Sequence, residues 1–173
     1  MASAIGAIKQ AIRIKKDFIH AYIALGASFI KAERFEEAIQ TLNTAINYDS
    51  NNPDVYYYLG LVQRLTGNVD AAIEALKKMI SISPDSVQAR YSIGLAYLDG
   101  KQFEEASDAF QEALKIKPDF ADVHLMLGNL YQSPLTDIER STFHLKKAEK
   151  LFAKLEDYPN SARARHLLEN QAV

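Results

Sequence analysis

The chain contains no cysteine. Disulfides, thiolate metal sites and cysteine nucleophiles are thereby excluded, and the absence fits a reducing or an oxidising compartment equally well. No apolar run approaches the roughly 18 to 20 residues needed to cross a bilayer, so no direct membrane span is expected. An excess of one charge is also missing: 20 Lys and Arg stand against 22 Asp and Glu, with no block of five like charges, which argues against nucleic acid as a partner. No glycine-rich phosphate loop, GxSxG elbow or Asn-x-Ser/Thr sequon occurs.

What is present is core-forming material. With 48% hydrophobic and 24% charged residues over 173 positions, the chain can bury a full core and reads as one globular unit. Glycine is scarce, yet four of the seven, Gly26, Gly60, Gly94 and Gly128, recur at one constant interval, each after a large aliphatic residue: Leu25, Leu59, Ile93 and Leu127. Two further combs keep the same phase. One runs through Ala4, Ala38, Ala72 and Ala106, the other through Ala11, Ala45, Met79 and Ala113, and Pro84 and Pro118 lie one period apart. A fixed period of this length is the mark of a repeat architecture.

Within each period the apolar residues recur at steps of three and four, as in VYYYLGLVQRLTG followed by VDAAIEALKKMISIS. This predicts two amphipathic helices per repeat, folded back as a hairpin. A glycine in the first helix and an alanine in the second let the pair approach closely, while Leu, Tyr and Phe fill the flanking space. Asn52-Pro53, Ser83-Pro84-Asp85 and Lys117-Pro118-Asp119 stop one helix and offer polar caps to the next. Gly67-Asn68 and Gly100-Lys101 mark turns inside the hairpins.

The constant spacing together with Leu25-Gly26, Phe29, Ala38, Leu42 and Ala45 resembles the tetratricopeptide-repeat signature. Tyr56, Leu59, Gly60, Ala72, Leu76 and Pro84 match it again, as do Ile93, Gly94, Tyr97, Ala106, Phe110, Ala113 and Pro118. The resemblance implies an all-α fold, a right-handed superhelical solenoid of antiparallel helix pairs. Full repeats are expected at 19–52, 53–86 and 87–120, in a single domain covering 1–173. A fourth, at 121–158, has one extra residue in the turn around Ser133-Pro134-Leu135-Thr136, because the step from Tyr131 to Ala148 is longer by one than the step from Tyr97 to Ala113. Its second helix is extended through Lys150–Leu155. Residues 159–173 read as a capping helix, with Glu169 in place of the close-packing glycine.

Residues 1–16, MASAIGAIKQAIRIKK, carry Lys9, Arg13, Lys15 and Lys16 and no acid, as transit peptides and membrane-surface helices do. The repeat register accounts for them better: Ala4, Ile8 and Ala11 take second-helix positions, so 1–18 is expected to be the second half of a repeat in a piece of a longer protein.

The search for chemistry points away from an enzyme. His20, His124, His144 and His166 lie on different helices without HExxH or i, i+4 pairing and read as surface or packing residues. Glu36-Glu37 and Glu104-Glu105 sit at helix starts, where exposed backbone amides favour negative charge. Lys77-Lys78 and Lys146-Lys147 are short solvent-facing pairs. No catalytic residue, metal site or cofactor is expected.

The family resemblance implies a concave groove lined by first-helix residues. Family members that clamp a chaperone's C-terminal carboxylate carry Lys, Asn and Arg there. The matching positions here hold Ile23, Ala27, Tyr58, Gln88 and Ser92, so that clamp is missing. The groove instead offers Ile23, Tyr57, Tyr58, Leu61, Tyr91, Leu95, Leu98, Leu125 and Met126, an apolar and aromatic strip suited to an amphipathic helix or an apolar peptide of another protein. The expected function is a non-enzymatic interaction scaffold. Two alternatives stand beside it: a self-assembling module pairing through Ile5, Ile8 and Ile12 of the N-terminal helix, and the adaptor region of a larger multidomain protein.

Overall fold

The three-and-four spacing of apolar residues produces helices throughout the residues that the computed structural model describes, 2–171, with side chains described from residue 5. The side chain of Ala4 in the alanine comb and residues 172–173 of the expected cap lie outside what is described. Ten α-helices follow one another with no strand among the described residues: α1 (Ala2–Ile14), α2 (Ile19–Lys31), α3 (Phe35–Tyr48), α4 (Pro53–Leu65), α5 (Val69–Ile82), α6 (Val87–Asp99), α7 (Phe103–Ile116), α8 (Ala121–Gln132), α9 (Ile138–Lys154) and α10 (Tyr158–Glu169).

Helix starts have identifiable causes. Asn52 accepts a hydrogen bond from the Asp54 amide with Pro53 in the first turn of α4, and Ser86 accepts from Ala89 to open α6. Asp137 and Asp157 cap α9 and α10. Asp85 and Asp119, expected as caps from the Pro-Asp pairs, are not used so. Phe120 precedes α8 without a side-chain cap bond, and Asp119 reaches Lys147 instead, at 3.6 Å.

Helix ends show a second periodicity. Glu33, Gly67 and Lys101, again one period apart, adopt left-handed backbone at φ of 57°, 78° and 58°, and Glu156 does so at 58°. The residue after Glu33, Gly67 and Glu156 returns its amide to a carbonyl on the last turn of the helix: Arg34 to Phe29, Asn68 to Gln63 and Asp157 to Phe152, each at 2.9 Å. These are Schellman closures, which satisfy carbonyls at the helix end and turn the chain back on itself.

The chain divides into two compact units, Met1–Asp99 with α1–α6 and Gly100–Val173 with α7–α10. In the first, each helix packs on the next, and the alternate helices α2, α4 and α6 also touch in turn. Its core includes Leu42, Val55, Val62 and Leu76, with Ile8 and Ile12 of α1 packed against the part around Phe29. In the second, α8 packs on α7 and α9, and α10 packs on α9, around Phe110, Leu127, Leu145 and Phe152. The helix α9 has 17 residues where α3, α5 and α7 have 14.

Three of the four repeated glycines, Gly26, Gly60 and Gly128, are explained by a contact with one leucine each. A Cβ on Gly26 would stand 2.8 Å from Leu42, one on Gly60 2.7 Å from Leu76, and one on Gly128 2.5 Å from Leu145. The step from glycine to leucine is the same in the first two pairs and longer by one in the third, where the turn is longer. All three leucines are fully buried, with little room to retreat. Gly6 on α1 differs, since nothing lies within 4 Å of its missing Cβ.

Gly60→Ala is therefore expected to destabilise the protein by about 1–3 kcal/mol through overpacking, seen as a lower urea midpoint. Gly6→Ala should leave that midpoint unchanged or raise it, because only helix propensity is at stake there.

Candidate functional site

Tyr57 and Tyr58 of α4 and Tyr91 of α6 lie off the seam of the helical hairpin, Tyr58 also packing against the core cluster of the first unit. Taking Gly60 as the direction of α5, Leu61 lies about 100° and Tyr58 about 160° round the α4 axis, so both point away from the paired helix. The inward positions of these helices are held by Val55, Tyr56, Val62, Ala89, Ile93 and Ala96, all buried. Tyr57, Tyr58, Leu61, Tyr91, Leu95 and Leu98 remain half-buried. Tyr91, Leu95 and Leu98 share one face of α6 by their spacing of four and three. The Tyr57 and Tyr58 rings meet edge to face with centroids 5.2 Å apart, and Arg64 of α4 pairs with Asp99 of α6 at 2.8 Å. The first unit thus carries an aromatic and aliphatic strip closed at one end by an ion pair.

Two expected strip residues are core residues instead. Ile23 is 8% exposed and belongs to the cluster containing Ile5, and Leu125 is 2% exposed among Leu145, Ala148 and Ala164. Both occupy the repeat position that Tyr57 and Tyr91 occupy in the repeats between them. A branched aliphatic chain sinks between the helices there, whereas a tyrosine is long enough to reach the surface. Met126 is half-buried and packs against the second unit's cluster, which Leu167 and Leu168 of α10 also join.

A second constellation escaped the sequence. His124 of α8 is buried, and its Nδ1 lies 2.9 Å from Nδ1 of His144 on α9. Its Nε2 lies 3.0 Å from the Pro118 carbonyl, which can only accept, so that nitrogen carries the proton. Neutral His124 then accepts at Nδ1 from the Nδ1–H of His144. Burial pushes the pKa of both imidazoles down. His144 reaches about 4, with the charges of His124 and Arg140 adding to the effect, while Lys147 lowers His124 against the raising influence of Pro118 and Asp119. Around them, Tyr131 stacks on His144 at 5.8 Å, its hydroxyl meets Ser107 Oγ at 2.7 Å, and Gln111 donates to that hydroxyl at 2.8 Å. The antiparallel register that lets Ser141 donate to the Gly128 carbonyl at 2.7 Å brings residues 124 and 144 level. That signal became readable only with the turn at 133–136 fixed.

His20 and His166 are exposed. Among the described residues no group of three His, Asp or Glu side chains could hold a metal ion, and no helix is long and apolar enough to cross a membrane.

Because both imidazoles titrate lower in the fold than the ordinary value of about 6.5, the unfolded chain binds more protons than the folded one as pH falls below that value. The histidine pair should therefore cost stability progressively from about pH 6.5 down to about 4. The thermal midpoint is expected to fall over this window, His144→Gln to flatten the histidine contribution, and the His144 ring resonance to titrate near 4.

Comparison with known proteins accords with this geometry. A family profile described as TPR repeat matches residues 28–67 and 94–133, and one described as tetratricopeptide repeat matches 54–86. No match was found among curated proteins. Among solved structures, a crystal structure of MamA is 24% identical over 89% of this chain and 90% of its own, with a TM-score of 0.79. MamA 41-end from Desulfovibrio magneticus RS-1 is 21% identical over 88% and 86%, also at 0.79. YrrB, described as a TPR protein with an unusual peptide-binding site, is 21% identical over 95% and 83%, at 0.73. The likeness shows an all-α fold of the helical-solenoid class. With the profile matches together spanning more than half of its length, the chain belongs to the tetratricopeptide-repeat family.

Proposed function

We propose that the chain is a non-enzymatic scaffold for protein–protein interaction, and that the strip on α4 and α6 binds an apolar peptide or the apolar face of an amphipathic helix. The observation that carries this reading is the half-exposure of Tyr57, Tyr58, Leu61, Tyr91, Leu95 and Leu98 on helices whose core positions are already filled. Tyrosine supplies a large, stiff contact area and a hydroxyl for a peptide backbone, and leucine supplies a surface that gains from leaving water. The Arg64–Asp99 pair adds charge at the margin, where it would favour one orientation of the ligand over the reverse. A solved protein of the same fold, YrrB, carries a peptide-binding site, which supports the class of partner. Ile23 and Leu125 are set aside as contacts because they lie in the core.

The test is retention of proteins from a native extract by the unaltered chain and by a Tyr57→Asp, Leu95→Asp version, followed by affinity measurement on whatever distinguishes them. Losing two central contacts of about 2 kcal/mol each should weaken the partner by well over tenfold, with helicity by circular dichroism unchanged. If both versions hold the same proteins with the same affinity, the strip is not the binding surface.

A further inference from the structure

The second unit holds an open pocket of about 520 Å³ in the wedge between α7, α8 and α9, lined by Gln111, Leu114, Lys115, Tyr131, Arg140 and His144. Its volume falls in the range of roughly 300–1,000 Å³ typical of ligand sites. Two cations and an amide line it, and no carboxylate does. The comparable wedge between α3, α4 and α5, about 540 Å³, differs in having Glu74 among its lining residues beside a single cation, Lys78.

Arg140 is pre-positioned. Its guanidinium lies 5.4 Å from the centre of the Tyr131 ring, and its Nε is 3.2 Å from Asp137. Tyr131 is fixed in turn, since its hydroxyl is tied to both Ser107 and Gln111. Lys115 extends from α7 and pairs with Glu112 one turn earlier on the same helix. Both ion pairs are substantially exposed, and such pairs contribute little and exchange readily with a better-placed anion. A planar guanidinium held against an aromatic ring suits a carboxylate, which it can meet through two parallel hydrogen bonds. Apolar surface adjoins the cations: Leu114 lines the pocket, and the exposed Phe143 ring stands edge-on to His144 with centroids 5.1 Å apart.

We propose that this pocket is a second binding site, separate from the strip on α4 and α6, and that it takes an acidic peptide segment. Arg140 and Lys115 hold the carboxylate of an Asp or Glu side chain, and Leu114 and Phe143 receive an apolar neighbour. The adjoining apolar surface favours a peptide over a free anion, because a small anion would leave Leu114 and Phe143 uncovered.

The experiment titrates the full chain with a terminally blocked peptide of alternating acidic and leucine residues, with its twin in which every acid is replaced by its amide, and with acetate and inorganic phosphate. Calorimetry reads affinity, and the imidazole resonances of His124 and His144 report location. The acidic peptide is expected to bind, to move the His144 resonance and to weaken as salt is raised, with Lys115→Gln and Arg140→Gln each lowering affinity at least tenfold. Lys115→Gln alters an exposed side chain and keeps the test valid if Arg140→Gln disturbs α9. The chain carrying Tyr57→Asp and Leu95→Asp should bind the acidic peptide undiminished, so the two sites stand or fall separately. Equal binding of the amide twin, unchanged affinity in both single variants, or binding without movement of His144 overturns the site. Acetate or phosphate matching the peptide's affinity overturns the peptide as its ligand.

Discussion

The structure depends on one contact, a bare Cα pressed against the side chain of a leucine on the returning helix. Gly26 with Leu42, Gly60 with Leu76 and Gly128 with Leu145 set how closely each pair of helices lies. A close approach buries the alanines at 38, 45, 72 and 148 completely, since a methyl group fills the remaining gap and a larger side chain would not fit. With the pair spaced by that contact, the larger residues are sorted: those pointing along the seam are sunk, and those a third of a turn or more away are left at the surface. The strip on α4 and α6 is a by-product of this sorting: its residues are half-buried, with Tyr58 also resting on the core of the first unit, so each keeps part of its surface outside the seam.

Such partial burial lets one repeat position carry two roles. At residues 23, 57, 91 and 125 the chain places Ile, Tyr, Tyr and Leu, and the two aliphatics are buried while the two tyrosines are half-exposed. The backbone position is equivalent, and side-chain length decides whether the residue belongs to the core or to a surface. The polar cluster of the second unit follows the same logic in reverse. Tyr131 and His144 are held by stacking and by hydrogen bonds to Ser107, Gln111 and His124, so groups that would be costly to bury are satisfied among themselves.

Helix pairing was legible in the sequence because it is set by short-range features: the three glycine–leucine contacts, the apolar steps of three and four, and Asn52-Pro53 at a helix start all act within one repeat. The residues left outside a core could be read only in part. Ile23 and Leu125 looked equivalent to Tyr57 and Tyr91 in register; their shorter side chains join clusters that include Ile5 of α1 and Ala164 of α10, elements outside their own hairpins. The histidine pair was invisible for a related reason. It depends on the vertical alignment of α8 and α9 across a turn lengthened by one residue, which shifts every facing pair by a fraction of a helical turn. Capping showed a milder failure, since Asp119 is drawn to Lys147 and leaves Phe120 at the start of α8.

Each glycine and its leucine lie within a single repeat, separated by little more than one turn and the helix segments beside it. Contacts so local close small loops, and small loops close fast and with little entropic penalty. A newly made chain leaving the ribosome can therefore complete each such hairpin as soon as its second helix emerges, before the following repeat has been synthesised. Each finished pair then presents a ready surface to the next. The order of synthesis becomes the order of assembly, and the apolar faces of the helices spend little time without a partner of their own chain.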